Sequence, residues 1–334
     1  MKIIIPMAGR GSRLRPHTLT VPKPLVPVAG KPLVQRIVED LNSALDEPVD
    51  EVAFIIGDFG QEAEATLEKI AANIGAKCSI YHQDKPLGPG HAVLCAEDSL
   101  DGHCLVAFAD TLFKANFNFK VETDGIIWVQ KVEDPSSFGV VTVGDDGVIT
   151  DFVEKPTSFV SDLAIVGIYY FREGGKLKST LKEIVEKDIR EKGEYQLTTA
   201  LEMMKTSGTR FRPSQIEEWL DCGNKEHVVA TNQRMLELKQ DSEQLVSEDV
   251  VLENSVVIPP CYIGKNVKLL NSVVGPHVSI GDNSIIEHSV ISNSLVQNNS
   301  QVITANLKDS MLGNEVIYRG KQSDVSIGDY SDLR

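Results

Sequence analysis

Over about the first 230 residues, short apolar runs alternate with stretches of helical periodicity, the pattern of an α/β domain. Residues 2–5, 52–56, 79–82, 104–109 and 125–132 read as strands, and 163–171 is an apolar, β-branched run of the same kind. Residues 139–143 and 148–153 flank Asp145-Asp146-Gly147, which reads as a hairpin turn. Helical spacing marks 31–45, where Leu33, Ile37, Leu41 and Leu45 recur every fourth position and Pro32 suits a first turn. Helices are also predicted over 61–74, 90–97, 177–191 and 224–239. The rhythm predicts a mainly parallel sheet with helices on both faces.

From about residue 250 the texture changes. Charged helical periodicity stops, and short aliphatic pairs recur between Gly, Asn and Ser, as in Ile263-Gly264, Val274-Gly275, Ile280-Gly281 and Val290-Ile291. Val274, Ile280 and Ile286 are six apart, and other intervals are five. This imperfect hexapeptide rhythm predicts a short parallel β-helix, with one aliphatic residue per six turned inward. The alternative is a β-sandwich with Gly/Asn turns. The predicted domains are 1–240, including 224–239 as a linking helix, and 241–334. A short solenoid exposes its ends and faces, so packing on the first domain or a homo-oligomer is expected.

Length and charge narrow the classes of function. A chain of 334 residues suits two domains. Its net charge of −15, without any Lys/Arg run, argues against a nucleic-acid partner. No stretch approaches the roughly 18 apolar residues of a membrane span, and the start MKIIIPMAG lacks the apolar core of a secretory leader. The five cysteines are dispersed, without CxxC spacing. They read as reduced thiols, and a cytoplasmic protein with no membrane partner is expected.

The most informative stretch, Pro6-Met7-Ala8-Gly9-Arg10-Gly11-Ser12-Arg13-Leu14-Arg15-Pro16-His17-Thr18, directly follows the first strand. Gly9 and Gly11 permit a tight turn and a close approach to a ligand. Successive N–H groups there can cradle phosphate oxygens, and Arg13 can neutralise them. Lys23 sits between Pro22 and Pro24, which hold its charge in place. Taken alone the loop could be an ordinary βα turn, since it has neither the dinucleotide nor the P-loop spacing. Asp110 and Asp221 each end an apolar run. At the carboxyl ends of strands, where ligands of open sheets collect, two carboxylates can hold Mg²⁺. Glu154-Lys155 at a hairpin end would as bare residues be a solvated pair. His17, His82 and His91 show no metal-ligand spacing and read as loop polar groups.

The run G-x-G-S-R-L-x-P-x-T followed by P-K-P-L-x-P-V-x-x-K-P-L resembles the sugar-nucleotide pyrophosphorylases, or sugar-1-phosphate nucleotidylyltransferases. The resemblance continues in family order over residues 1–225. Gln83-Asp84-Lys85-Pro86-Leu87-Gly88-Pro89-Gly90-His91-Ala92 looks like the base-binding loop, and Phe108-Ala109-Asp110 looks like the strand end bearing the first metal aspartate. Phe138-Gly139-Val140-Val141, Glu154-Lys155-Pro156 and Gly167-Ile168-Tyr169 look like the sugar site, and Trp219-Leu220-Asp221-Cys222-Gly223 looks like the second metal aspartate. The resemblance implies a Rossmann-like catalytic domain and a C-terminal left-handed β-helix. It also implies an enzyme that joins a nucleoside triphosphate to a sugar 1-phosphate, with Mg²⁺ and release of pyrophosphate. Nucleotide binding falls to Ala8, Gly9, Gly11, Ser12, Arg13, Gln83, Pro86 and Gly88. Catalysis falls to Arg13, Lys23 and Asp110, the metal to Asp110 and Asp221, and sugar phosphate to Gly139, Glu154, Lys155, Ile165 and Gly167.

Such a reaction needs little acid–base help, because the attacking phosphate oxygen is already ionised. Positioning and electrostatics carry it. Ala164-Ile165-Val166-Gly167-Ile168-Tyr169 looks like the sugar motif of glucose-1-phosphate thymidylyltransferases, although those enzymes carry Gly-Asp-Asn where this chain has Ala109-Asp110-Thr111. The expected substrates are therefore dTTP or UTP with glucose 1-phosphate. Mannose-1-phosphate guanylyl transfer and uridylyl transfer to a muramate or N-acetyl sugar are the alternatives. A non-catalytic regulatory binder of sugar nucleotides and a β-helix acyltransferase are the rivals from other classes.

Overall fold

The structure, a computed structural model, describes residues 1–9, 11–115, 123–321, 324, 326 and 330. Arg10 of the phosphate loop and part of the end of the 241–334 segment lie outside the described residues. The chain forms two compact units, Met1–Val26 with Pro32–Gly223, and Pro27–Lys31 with Asn224–Arg334.

In the first unit the strands Lys2–Pro6, Glu51–Ile56, Lys77–His82 and Cys104–Ala107 run parallel. Their inner residues are fully buried, Ile3, Ile4 and Ile5 on one strand and Val52 to Ile56 on the next, as a sheet covered on both faces requires. Helices α1 (Leu33–Ala44), α2 (Gln61–Asn73) and α3 (Pro89–Cys95) connect these strands. The sheet then turns antiparallel. Leu163–Phe171 pairs with Cys104–Ala107 on one side and Gly125–Lys131 on the other. The hairpin Gly139–Val143 and Ile149–Glu154 follows beyond it. The result is the expected Rossmann-like domain with an antiparallel extension.

Several boundaries move for physical reasons. The first helix begins at Leu33, because Lys31–Pro32 pairs as a short strand with Pro27–Val28. The helix expected over 177–191 is α4, Gly174–Glu186. It stops because the chain turns at Asp188, which holds a left-handed φ of 52°. Three elements were not anticipated. Thr111–Lys114 pairs antiparallel with Glu218–Asp221. Helix α5 spans Leu197–Thr206. Among the described residues Phe211–Gln215 pairs only with Gly125–Lys131, an edge position that tolerates Pro213.

The second unit begins with α6 (Lys225–Lys239), whose first turn is capped by the Asn224 side chain accepting the His227 N–H. After it, short parallel strands stack into three sheets, consistent with the expected left-handed β-helix. Leu269, Val274, Ile280, Ile286, Ile291, Val296 and Val302 fill its interior. The hexapeptide rhythm needs correction. Inward residues fall at intervals of 5, 6 and 6, then 5, 5 and 6, so equivalent residues lie 17 and then 16 apart. At one corner Asn266, Asn283 and Asn299 sit at left-handed φ and stack amide on amide at 3.1 and 3.2 Å. Among the described residues no helix is long and apolar enough to cross a membrane.

Candidate active site

A cavity of about 550 Å³ opens in the first unit at the carboxyl ends of the parallel strands. The loop after Lys2–Pro6 forms one wall with Ala8, Gly9, Gly11 and Arg13. Gly11 is fixed twice over. Its φ of 76° favours glycine, and a Cβ there would stand 2.5 Å from the Lys23 Cβ. The Thr18 hydroxyl donates to the Gly11 carbonyl at 2.7 Å and pins the loop from outside. Lys23, in a 3-10 turn entered through Pro22, is buried, and its Nζ donates to the Asp110 carbonyl at 2.9 Å. The same ammonium lies 4.0 Å from the Asp110 carboxylate. A lysine held this way is a fixed positive charge at the cavity floor.

Gln83, Pro86 and Gly88 line the opposite wall. Gln83 follows the Lys77–His82 strand, and its backbone N–H is bonded to the Ile56 carbonyl at 2.8 Å. Gly88 precedes α3 at a φ of 110°, and a Cβ there would meet the Tyr195 backbone at 2.8 Å. Only glycine fits that approach. The Gln83 Nε2 donates to the Gly88 carbonyl and lies 3.1 Å from the His91 Nδ1. Burial lowers the pKa of His91 from its ordinary value.

Asp110 lines the cavity with an exposed carboxylate. Asp221 is brought to the same strand end by pairing, since its backbone lies opposite Thr111. It is not among the lining residues. The Asp221 carboxylate accepts the Gly223 N–H at 2.8 Å, and carboxylates are the donors a hard cation takes. Among the described residues no third His, Cys, Asp or Glu joins them.

The predicted sugar-phosphate residues form a second cluster. Gly139 and Glu154 are register partners in the hairpin. A Cβ on Gly139 would lie 3.1 Å from a Glu154 carboxylate oxygen and 3.3 Å from Ile165 Cδ1. Lys155 follows at a left-handed φ of 43°, with its Nζ 3.6 Å from the Glu154 carboxylate. The Leu163–Phe171 strand breaks register between Ile165 and Tyr169, and Gly167 within the bulge has a φ of 97°. Its carbonyl accepts the N–H of Phe108, a residue of the cavity wall.

The structure thus places Ala8, Gly9, Gly11, Arg13, Lys23, Gln83, Pro86, Gly88 and Asp110 on one cavity. Ser12 lies in the adjoining 3-10 turn and is not on the lining. Sequence reasoning missed three side chains that hold the site. Thr198 on α5 donates to the Glu154 carboxylate at 2.9 Å. Lys192 donates to the Lys155 carbonyl at 2.8 Å. His91, read from sequence as a loop polar group, touches Gln83. Only His91 carried a signal, three residues after Gly88 in the first turn of α3.

A family model described as nucleotidyl transferase matches residues 2–237. The chain is 32% identical over 265 residues to the low-salt glycan biosynthesis nucleotidyltransferase Agl11 of Haloferax volcanii, over 77% of this chain and 72% of that one. It is 32% identical over 277 residues to a glucose-1-phosphate thymidylyltransferase of Streptomyces antibioticus, over 80% and 74%. Against the bifunctional protein GlmU of Methanococcus maripaludis it is 30% identical over 270 residues, and it spans 62% of that relative's length. Among solved structures, UDP-glucose pyrophosphorylase complexed with UDP-glucose aligns with a TM-score of 0.59 at 25% identity, over 71% of this chain and 98% of that chain.

Proposed function

We propose, from the premise that this chain belongs to the nucleotidyl transferase family and is a sugar-1-phosphate nucleotidyltransferase, that it takes dTTP or UTP and glucose 1-phosphate. The observation that carries this reading is the gathering of the phosphate loop, Lys23, Gln83 and Asp110 on one cavity. Likeness to the Streptomyces thymidylyltransferase favours dTTP, and likeness to UDP-glucose pyrophosphorylase favours UTP.

In this reading Arg13 and the N–H groups of Ala8, Gly9 and Gly11 hold the β- and γ-phosphates and offset the charge of the departing pyrophosphate. Lys23, fixed at the floor, faces the α-phosphate. Gln83 and Gly88 hold the base. Lys155 holds the phosphate of the sugar phosphate, and Glu154 accepts hydrogen bonds from sugar hydroxyls. The ionised phosphate oxygen of the sugar phosphate attacks the α-phosphorus in line, and the bond to pyrophosphate breaks. These residues bring two polyanions together, which is the main barrier. Asp110 and Asp221 would hold Mg²⁺, which supplies positive charge between the phosphates when bound.

The test is pyrophosphate release from dTTP, UTP, GTP, ATP and CTP against glucose, mannose, galactose and N-acetylglucosamine 1-phosphates. Turnover is expected with dTTP or UTP and glucose 1-phosphate, and a loss of at least about 100-fold in Asp110→Asn. Turnover with GTP and mannose 1-phosphate alone would replace the substrate assignment. Nucleotide binding without turnover on any sugar phosphate would favour a regulatory binder.

A further inference from the structure

The amide of Gln83 is the polar group that meets the base in the reading above, and a glutamine can offer a base either its carbonyl or its NH₂. The surroundings decide which. The Gly88 carbonyl, an obligate acceptor, lies 3.1 Å from the Gln83 Nε2. It also accepts the Ala92 N–H at 3.0 Å, which ties it into the first turn of α3. Turned over, the amide would set carbonyl oxygen against carbonyl oxygen at that distance. The nitrogen therefore faces Gly88. Its second contact, His91 Nδ1 at 3.1 Å, must then be an acceptor, so the ring carries its proton on Nε2. Burial disfavours the imidazolium, which keeps the Nδ1 lone pair available near neutral pH. The Cys95 Sγ approaches the same nitrogen at 3.8 Å, and burial raises that thiol's pKa. The Tyr195 ring lies against the imidazole with centroids 6.4 Å apart.

We propose that His91 is a specificity-determining positioning residue, which consumes the second amide hydrogen of Gln83 so that the cavity shows a base only the carbonyl oxygen. The inference rests on the assignment of Gln83 to the base. Its consequence is chemical. An acceptor at that point selects bases with a ring N–H on their pairing edge, which are uracil, thymine and guanine. It rejects cytosine and adenine, whose ring nitrogen there is itself an acceptor. His91 does not touch the base. It acts by denying the amide a hydrogen that could otherwise serve cytosine.

The test reads nucleotide binding by calorimetry, so the identity of the sugar does not enter. Dissociation constants are measured for UTP, dTTP, GTP, CTP and ATP with wild type, His91→Leu and His91→Asn. Wild type is expected to prefer UTP or dTTP over CTP. His91→Leu is expected to shrink the CTP-to-UTP ratio of dissociation constants by about fivefold or more, the value of one hydrogen bond. His91→Asn, whose Oδ1 can accept in place of Nδ1, is expected to restore it. A purely structural role for His91 would weaken all nucleotides together and leave the ratio unmoved, and that result overturns the inference while the pyrimidine reading stands. Preference for GTP overturns the pyrimidine reading but keeps the acceptor-facing amide. Preference for CTP or ATP in wild type, or binding of none, overturns the inference. Should His91→Leu fail to fold, an unchanged ratio in His91→Lys, which removes the acceptor and adds a donor, overturns it equally.

Discussion

Replacing Gly11 with alanine separates the close approach in the phosphate loop from ordinary backbone strain. Gly11 holds a φ of 76°, and an alanine Cβ would stand 2.5 Å from the Lys23 Cβ. The left-handed conformation costs an L-residue about 1–2 kcal/mol. The collision adds to this, because carbon atoms in contact sit about 3.5–4.0 Å apart, so the two segments must separate by about 1 Å. Lys23 cannot retreat. It lies between two prolines, is buried, and is bonded to the Asp110 carbonyl at 2.9 Å. The loop moves instead, and a displacement of about 1 Å among positioned catalytic groups costs on the order of 100-fold in rate. That is about 2.7 kcal/mol of transition-state stabilisation. Gly75→Ala is the control, since Gly75 has a φ of 74° with nothing within 4 Å of its added Cβ. Thermal unfolding and kcat/KM for pyrophosphate release are measured on both. Both variants are expected to lose the backbone strain of about 1–2 kcal/mol, Gly11→Ala more because of the collision, and only Gly11→Ala is expected to lose about 100-fold in kcat/KM. Turnover of Gly11→Ala within about threefold of wild type would refute the reasoning, because the collision would then have no catalytic consequence.

Thr198→Val keeps the side-chain volume but removes the donor to Glu154 at 2.9 Å. A hydrogen bond to a carboxylate is worth about 1.5–3 kcal/mol, so KM for the sugar phosphate is expected to rise at least about tenfold while KM for the nucleotide holds. Steady-state kinetics in both substrates checks the split. In the second unit, the fully buried Asn232 accepts from the Ala29 N–H at 2.9 Å and the Ser279 hydroxyl at 2.7 Å. Asn232→Leu strands both donors, at about 1–3 kcal/mol each, and differential scanning calorimetry is expected to show the second unit unfolding at a lower temperature. Burial alone would raise the Glu51 carboxyl, but hydrogen bonds from Ser79 and Ser99 and the charges of Lys2 and Lys77 outweigh it and hold it below the usual 4.5. Its stabilisation is therefore full above 4.5 and is lost as pH falls through the lower folded value. Melting temperatures recorded from pH 6 to 3 are expected to fall less steeply in Glu51→Gln than in wild type.

How much of this was legible in the sequence follows the range over which each signal acts. The parallel strands could be read because a buried strand is a local apolar run, as 52–56 is. The phosphate loop was visible because Gly11 and Arg13 fall within seven residues of the end of the first strand, and Lys23 follows in the same stretch between two prolines. Phe211–Gln215 was missed because Pro213 and flanking polar residues mask an edge strand that gets its pairing from Gly125–Lys131. The mixed five- and six-residue intervals were legible, but the coil lengths of 17 and 16 residues needed the strand register, because the sides follow no fixed repeat. The contacts that complete the site lie further beyond local reasoning. Lys23 meets Asp110 across 87 residues, and Glu154 meets Thr198 across 44.

One segment accounts for much of what was hidden. Between Glu191 and Thr198, the Tyr195 N–H donates to the Leu87 carbonyl, and the Tyr195 carbonyl accepts the Gly90 N–H. That fixes the base loop from behind. Three residues away in either direction, Lys192 holds the Lys155 carbonyl and Thr198 holds the Glu154 carboxylate. The base side and the sugar-phosphate side are therefore referenced to the same short stretch of chain, though neither draws a predicted ligand from it. The charges and the glycine of Glu191-Lys192-Gly193-Glu194 give no hint of this, because the work is done by backbone amides, one hydroxyl and one exposed ammonium. Misplacing this stretch is therefore expected to be felt at both substrates at once, in the KM for the nucleotide and for the sugar phosphate alike.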